Sequence, residues 1–107
     1  MEFKKLEEEI LKTWGTYAAK HEVDTNETYA VHKLGEEYGE FIQAYLVHKK
    51  LCKKKKIKPD DESFADMAAE LGDVIGTAML VAKRLNIDLE KELEDKWIKW
   101  AANENQI

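Results

Sequence analysis

Acidic residues recur at helical spacing in two apolar segments of this chain. Glu36, Glu37 and Glu40 lie in the first segment, and Glu70 and Asp73 lie in the second. Residues three or four positions apart share a helix face, so Glu37 and Glu40 point one way, with Glu36 on the flank. Carboxylates among apolar neighbours are costly unless a positive charge lies between them. The pattern therefore predicts a cation held between two helices.

The ligand types indicate which cation this would be. Mg²⁺ takes oxygen ligands in octahedral geometry, keeps several waters and completes its shell with substrate phosphates. Di-iron helical bundles also use inward carboxylates, but they need a Glu-x-x-His motif. Here Glu37 is followed three residues later by Glu40, and Glu70 by Asp73, so neither motif carries a histidine. Oxygen-only ligands favour Mg²⁺ or Mn²⁺ over iron or zinc.

A second Glu-x-x-Asp pair, Glu92 and Asp95, has different surroundings. Its neighbours are Lys91, Glu94 and Lys96, which is typical of a solvated helix face with ion pairs. The pair at Glu70 and Asp73 has apolar neighbours and lies on a helix with almost no polar face. Of the two pairs, only Glu70 and Asp73 are expected to line a cleft.

Paired glycines accompany both acidic segments: Gly35 and Gly39 in the first, Gly72 and Gly76 in the second. Each glycine weakens a helix by about 1 kcal/mol relative to alanine. Two interpretations offset that cost, a close helix crossing or room for a ligand, and the sequence leaves both open.

Apolar periodicity predicts four helices and a single all-α domain spanning residues 1–107. The predicted helices cover residues 2 to about 20, 27 to about 53, 62 to about 85 and 89 to 102, with fraying beyond. Asp24 to Asn26 and Asp88 are expected to cap helices, and Pro59 to separate the second helix from the third. The third helix is apolar nearly all round, which predicts burial on all sides and hence a partner subunit.

Composition narrows the class of protein. Hydrophobic residues make up 44% and the net charge is −5, although seven lysines lie between Lys49 and Lys58. The remaining acidic surface argues against nucleic-acid binding, and no apolar run is long enough to span a membrane. The single cysteine, Cys52, excludes an internal disulfide. With no signal peptide either, a cytoplasmic location is expected. The lysine cluster is interpreted either as a solvated loop or as a phosphate-steering surface.

At this point the sequence resembles a known family. Glu-Glu-x-x-Glu at Glu36 to Glu40, followed by Glu-x-x-Asp at Glu70 to Asp73, is similar to the MazG-like all-α nucleoside triphosphate pyrophosphohydrolases. The similarity includes Lys33-Leu34, Glu70 to Ile75, and Leu85 to Lys96, and covers most of residues 28 to 100.

The resemblance implies a four-helix, antiparallel, bundle-like fold assembled as a homodimer or homotetramer. It implies Mg²⁺-dependent hydrolysis of a nucleoside triphosphate to the monophosphate and pyrophosphate. The family's metal ligands match Glu37, Glu40, Glu70 and Asp73. Glu36 and Glu37 are the catalytic candidates, and Glu36 would lie beside the metal ligands as a supporting group or proton acceptor.

Three further residues are substrate-binding candidates. Lys33 precedes the first motif, and Lys96 matches a phosphate-binding basic residue of the family's last helix. The family's asparagine one turn later is replaced by Trp100. Trp14 is the best candidate for base stacking, because the first helix is placed to close over the cleft. Asp66 and Thr77 lie one turn from the second acidic pair and are candidates for supporting it.

Two alternatives to this activity remain open. Phosphoribosyl-ATP pyrophosphohydrolases share the helical carboxylate arrangement. A non-catalytic helical dimerisation module would carry the same acids on its surface.

Overall fold

The protein is all-helical over residues 1–101, the part of the chain that its computed structural model describes. The α-helices are α1 (Phe3–His21), α2 (Glu27–His48), α3 (Asp60–Arg84) and α4 (Leu89–Leu93). A 3₁₀ turn covers Lys54–Lys56, and a π-helical segment, Glu94–Lys99, continues α4. The all-α prediction with four helices is confirmed for these residues. The predicted end of the last helix at Ala102, and the fraying beyond it, lie outside the described range.

Polar side chains start two of the helices as the sequence predicts. Asn26 Oδ1 accepts a hydrogen bond from the Tyr29 amide at 2.9 Å, at the start of α2. Asp88 Oδ1 accepts one from the Lys91 amide at 3.2 Å, at the start of α4. Each cap satisfies a main-chain donor that has no partner within its helix.

The second helix ends earlier than predicted, at His48 instead of about Lys53. Lys50 adopts a left-handed conformation with φ of 61°, and the Leu51 amide donates to the Leu46 carbonyl at 2.8 Å. This conformation and this hydrogen bond end α2 before the lysine run. The like charges of that run disfavour a continuous helix. The third helix starts two residues earlier than predicted, at Asp60, with three acids in its first turn that suit its N-terminal dipole.

Helices α2 and α3 form an antiparallel hairpin, which is the centre of the fold. Lys50 and Asp60 form an ion pair at 2.6 Å beside the connection. At the far end, Arg84 of α3 donates to the Thr25 hydroxyl at 2.9 Å. Helix α1 packs on α3, whereas α4 and the π-helical segment contact the rest of the described chain only sparsely.

The two hairpin helices meet along one inner row of side chains. These positions are buried or half-buried: Ala30, Leu34, Glu37, Phe41 and Ala44 in α2, and Ser63, Met67, Glu70, Val74 and Thr77 in α3. Each residue step turns a helix by about 100°, and the helices are antiparallel. Positions one residue later in both helices therefore lie on one side of the hairpin, and positions one residue earlier lie on the other.

We name these two sides by their residues. The apolar face comprises Val31, Gly35, Tyr38, Ile42 and Tyr45 of α2 with Phe64, Ala68, Leu71 and Ile75 of α3, and all nine are exposed. The acidic face comprises Lys33, Glu36, Glu40 and Gln43 of α2 with Glu62, Asp66, Ala69, Asp73 and Gly76 of α3. Helix α1 lies against the acidic face near Gly76.

Burial of α3 on all sides is wrong for the single chain. Phe64, Leu71 and Ile75 are 57%, 48% and 51% exposed. Near the C-terminal end of α3, Met79 and Ala82 are 1% and 2% exposed, so this end is covered. The apolar face from Phe64 to Ile75 has no cover within the described residues.

Candidate metal centre

Carboxylates from both hairpin helices meet where the inner row opens onto the acidic face. Glu37 of α2 and Glu70 and Asp73 of α3 each bring one carboxylate oxygen to within 4.8 Å of the others. Glu37 is only 9% exposed, whereas Asp73 is exposed. Three of the four predicted metal ligands therefore come together, with one side open to solvent.

Glu40, the fourth predicted ligand, lies beside this group. Burial raises the pKa of the Glu37 carboxyl above its ordinary value, and the negative charge of Glu40 raises it further, against the opposing effect of Lys33. Burial likewise raises the pKa of Glu70, again with a contribution from Glu40. Glu37, Glu40, Glu70 and Asp73 thus form one interacting set, which we call the acidic cluster.

Two oxygens of the acidic cluster have no hydrogen-bond partner. Glu37 Oε2 and Glu70 Oε2 are both buried and unpaired. Leaving a buried acceptor unsatisfied typically costs about 1–3 kcal/mol, so native proteins rarely tolerate it without a role. A hard divalent cation would satisfy both oxygens. The donor set, oxygen only and partly open to water, suits Mg²⁺ or Mn²⁺.

A cavity of about 420 Å³ opens next to Glu37 and Asp73. Trp14 and Tyr17 of α1 line one side of it, and we call it the aromatic pocket. The Trp14 indole Nε1 donates to the Gly76 carbonyl at 3.1 Å, and the rings of Trp14 and Tyr17 meet edge to face at 5.6 Å. The structure therefore places Trp14 beside the acidic cluster, where it lines the same pocket as Glu37 and Asp73.

Lys33 and Glu36, which precede Glu37 on α2, form an ion pair with each other. Lys33 Nζ lies 3.1 Å from Glu36 Oε1 and 3.6 Å from Glu37 Oε1, and it lines the aromatic pocket. The hydrogen bond that Lys33 donates to Glu36 raises the pKa of Lys33. Glu36 is exposed and is not among the three carboxylates that meet at the centre. In this arrangement Glu36 holds Lys33, and Lys33 faces the pocket.

The glycines are not needed for a close helix crossing within the described chain. A Cβ added to Gly35, Gly39 or Gly72 would have no atom within 4 Å, and one added to Gly76 would meet Ile10 Cγ2 at an ordinary 3.7 Å. Gly72 and Gly76 line the aromatic pocket, which agrees with the second interpretation, room for a ligand.

Lys96 lies apart from the acidic cluster. It borders a separate cavity together with Asp95, Trp97 and Trp100, and this cavity shares no lining residue with the aromatic pocket. Asp95 pairs with Lys91 at 2.7 Å and with Lys99 at 3.0 Å. The expectation that Glu92 and Asp95 lie on a solvated face with ion pairs is confirmed.

Tyr17 and Lys58 were not site candidates from the sequence, whereas Thr77 and Asp66 were candidates for supporting the second acidic pair. Tyr17 lines the aromatic pocket only because α1 packs on α3. Thr77 is 2% exposed, and its hydroxyl donates to the Asp73 carbonyl at 2.7 Å, which supports the backbone that carries Asp73. Asp66 pairs instead with Lys58, at 2.8 Å. No local pattern distinguishes Lys58 from the six other lysines around it.

Comparison with protein-family models, with curated protein sequences and with solved structures finds no match to this chain. None of the helices within residues 1–101 combines the length and apolar character needed to cross a membrane. The case for a function therefore rests on the geometry of the acidic cluster and its surroundings.

Proposed function

We propose that this protein is a cytoplasmic, Mg²⁺-dependent nucleoside triphosphate pyrophosphohydrolase. The observation that carries the proposal is the pair of buried, unpaired oxygens, Glu37 Oε2 and Glu70 Oε2, in a carboxylate cluster that opens onto a pocket. A purely structural acidic surface has no need of two buried acceptors without donors. An oxygen-only metal site beside an aromatic-lined cavity suits a ligand that combines phosphates with a planar base.

Each part of the site has a task in this reaction. Glu37, Glu40, Glu70 and Asp73 would hold Mg²⁺, which neutralises phosphate charge and favours an attacking water. The oxygen of that water bonds to the α-phosphorus while the bond to the α–β bridging oxygen breaks, and pyrophosphate leaves. A cluster carboxylate accepts the proton of the water. Lys33 contacts phosphate from the pocket side, and Trp14 offers its ring to the base.

Two other functions compete with this one. A phosphoribosyl-ATP pyrophosphohydrolase would use the same carboxylates on a different substrate. A non-catalytic dimerisation module would need neither metal nor pocket, and the burial of Glu37 at 9% exposure speaks against acids that are merely superficial.

The experiment that tests the proposal is a screen of purified protein against ribo- and deoxyribonucleoside triphosphates and phosphoribosyl-ATP, with Mg²⁺ or with chelator. Chromatography of the products separates pyrophosphate plus monophosphate from orthophosphate plus diphosphate. We expect Mg²⁺-dependent pyrophosphate from at least one nucleoside triphosphate. Turnover of phosphoribosyl-ATP alone would select the first alternative, and turnover of nothing would select the second.

We further propose that the active form is a homo-oligomer, a dimer or tetramer, with a second copy covering the apolar face. A folded monomer of this mass exposes about 6,100 Å², whereas this chain exposes 8,014 Å². Its radius of gyration is 16.7 Å, against about 13 Å for a compact domain of this length. The single chain therefore leaves an unusual amount of surface uncovered.

A second copy suits the apolar face in pattern and charge. From Val31 to Tyr45 the face is about 21 Å long, and its two helices make it about 20 Å wide. Its area of about 420 Å² is about half of the roughly 800 Å² that each partner gives a standard interface. Its residues step four and three along both helices, the spacing by which helices pack side by side. Glu27 and Lys49 lie at the two ends of the α2 row, so two-fold antiparallel packing would bring each Glu27 to the partner's Lys49.

A further inference from the structure

A second cavity, of about 550 Å³, follows the aromatic pocket along the acidic face. Glu40 and Glu70 of the acidic cluster line it, together with Gln43, Asp66 and Lys58. We call it the lysine pocket. Glu70, whose Oε2 is buried without a hydrogen-bond partner, thus faces a cavity that also carries a positive charge.

Lys58 differs in position from the rest of the lysine cluster. Its Nζ lies 2.8 Å from Asp66 Oδ2 and 3.9 Å from Glu62 Oε1, and these contacts hold the side chain over α3. Lys50 pairs with Asp60 instead, close to the chain connection. Of the seven lysines, Lys58 alone is among the lining residues of the cavities described here.

The two pockets have the spacing of the two ends of one ligand. Lys33 lines the aromatic pocket and Gln43 lines the lysine pocket, both on the acidic face of α2. Lys33 and Gln43 are therefore about 15 Å apart along the helix axis, which is the scale of an extended nucleoside triphosphate. The acidic cluster lies between them, with Glu37 and Asp73 on one side and Glu40 and Glu70 on the other.

We propose that the lysine pocket receives the two terminal phosphates, which leave as pyrophosphate, and that Lys58 is the residue that binds them. This inference rests on the proposed hydrolysis, whose direction it specifies: base in the aromatic pocket, α-phosphate at the acidic cluster, β- and γ-phosphates against Lys58. When the α-phosphorus to bridging-oxygen bond breaks, its electron pair stays on that oxygen and negative charge grows on the pyrophosphate. An ammonium group at this end stabilises that charge.

The charges of the lysine pocket explain why Lys58 and the metal are needed together. Glu40, Asp66 and Glu70 outnumber Lys58, so a free polyphosphate would be repelled. With Mg²⁺ bound at the acidic cluster, much of this negative charge would be offset, and Lys58 supplies a contact that the metal ligands cannot make. The pocket is therefore expected to bind pyrophosphate only with Mg²⁺ present.

The test is calorimetric titration of inorganic pyrophosphate into the full-length protein with excess Mg²⁺. We expect Lys58→Ala to weaken binding by about tenfold or more, the usual loss for a charge-assisted hydrogen bond, and Lys58→Arg to retain most of it. Lys55→Ala, from the same cluster but outside both pockets, is the matched control and should bind as wild type does. Thermal stabilisation by Mg²⁺ alone should be equal in all four proteins.

Each outcome decides between the two proposals. If Lys58→Ala binds pyrophosphate like wild type while triphosphates are hydrolysed, the lysine pocket has been misassigned and the hydrolase proposal stands. If Lys58→Ala loses pyrophosphate but wild type cleaves no triphosphate, the binding site stands and the reaction is wrong. If Lys55→Ala loses as much pyrophosphate affinity as Lys58→Ala, pyrophosphate is attracted by the lysine cluster as a whole, and the specific role of Lys58 is overturned. Absence of pyrophosphate binding in wild type would also overturn it.

Discussion

The two sides of the α2–α3 hairpin differ in almost every respect, although they are built from the same two helices. The acidic face is polar, partly covered by α1 and hollowed by two pockets. The apolar face is uncharged over nine positions and exposed throughout. The apolar face consists of the positions one residue after the inner row, and the acidic face consists of the positions one residue before it. This contrast underlies the two proposals, a charged ligand on the acidic face and a second copy of the chain on the apolar face.

The largest expected effect is loss of hydrolysis on changing the acidic face. Glu37→Gln and Asp73→Asn each remove a metal-binding carboxylate while keeping the size of the side chain. We expect kcat/KM for pyrophosphate release to fall by about 100-fold or more, with the helical content unchanged by circular dichroism. Glu92→Gln, from the second Glu-x-x-Asp pair, is the matched control. Unchanged activity in the first two variants would exclude the assigned site.

A negative charge placed on the apolar face should dissociate the proposed oligomer. Leu71→Glu or Tyr38→Glu would bury carboxylates in the proposed interface, where they have no partner. We expect sedimentation analysis to show monomers at micromolar concentrations in place of the wild-type oligomer, with a lower unfolding temperature. His32→Glu adds the same charge on α2 outside both faces and should leave assembly unchanged. A monomeric wild-type protein would contradict the proposed interface.

A smaller effect is expected on the free energy of unfolding when the pH is changed. Since burial raises the pKa of Glu37 and Glu70 above the ordinary 4.5, the native state resists their ionisation while the unfolded chain does not. The resulting stability is fully present below pH 4.5 and is lost as pH rises through the raised values. Denaturant unfolding in chelator, from pH 4.5 to 7.5, should show this decline. Glu37→Gln should make this decline shallower, because only the contribution of Glu70 is then left.

Mg²⁺ should offset the same decline, because it stabilises the ionised cluster and binds only the native state. We expect millimolar Mg²⁺ to raise the unfolding temperature of the wild-type protein at pH 7.5 by a few degrees, and to have little effect on Glu37→Gln. Asp88 and Asp95 do not disturb this measurement, because lysines lower their pKa values and their contribution changes only in more acidic solution. A pH-independent stability in chelator would count against the burial of the cluster.

The smallest effect is expected from Trp14. Trp14→Phe keeps an aromatic ring but removes the hydrogen bond to the Gly76 carbonyl, which should cost about 1 kcal/mol of stability. KM should change little in this variant. Trp14→Ala removes the ring and should raise KM for the preferred triphosphate by about tenfold, the usual worth of a base–aromatic stack. If Trp14→Phe and Trp14→Ala have the same KM, Trp14 does not stack on the base of the substrate.

The sequence by itself determined the helices, their caps at Asn26 and Asp88, and the difference between the two Glu-x-x-Asp pairs. These features depend on local contacts: a cap bonds within its own first turn, and Asp95 is paired by lysines on its own helix. The periodicity also identified the apolar residues of α3. It could not show whether the same chain covers them, because that depends on where the other helices pack.

Only the tertiary structure decided which of the adjacent acids are buried, which of the seven clustered lysines lines a pocket and where the two pockets open. Glu36 and Glu37 are neighbours in sequence and both lie near Lys33, yet Glu36 is exposed and Glu37 is buried against α3, because the antiparallel register places position 37 on the inner row. Lys58 is one lysine of seven until the chain connection brings it to Asp66. Burial and charge pairing between helices depend on distances that no single segment encodes.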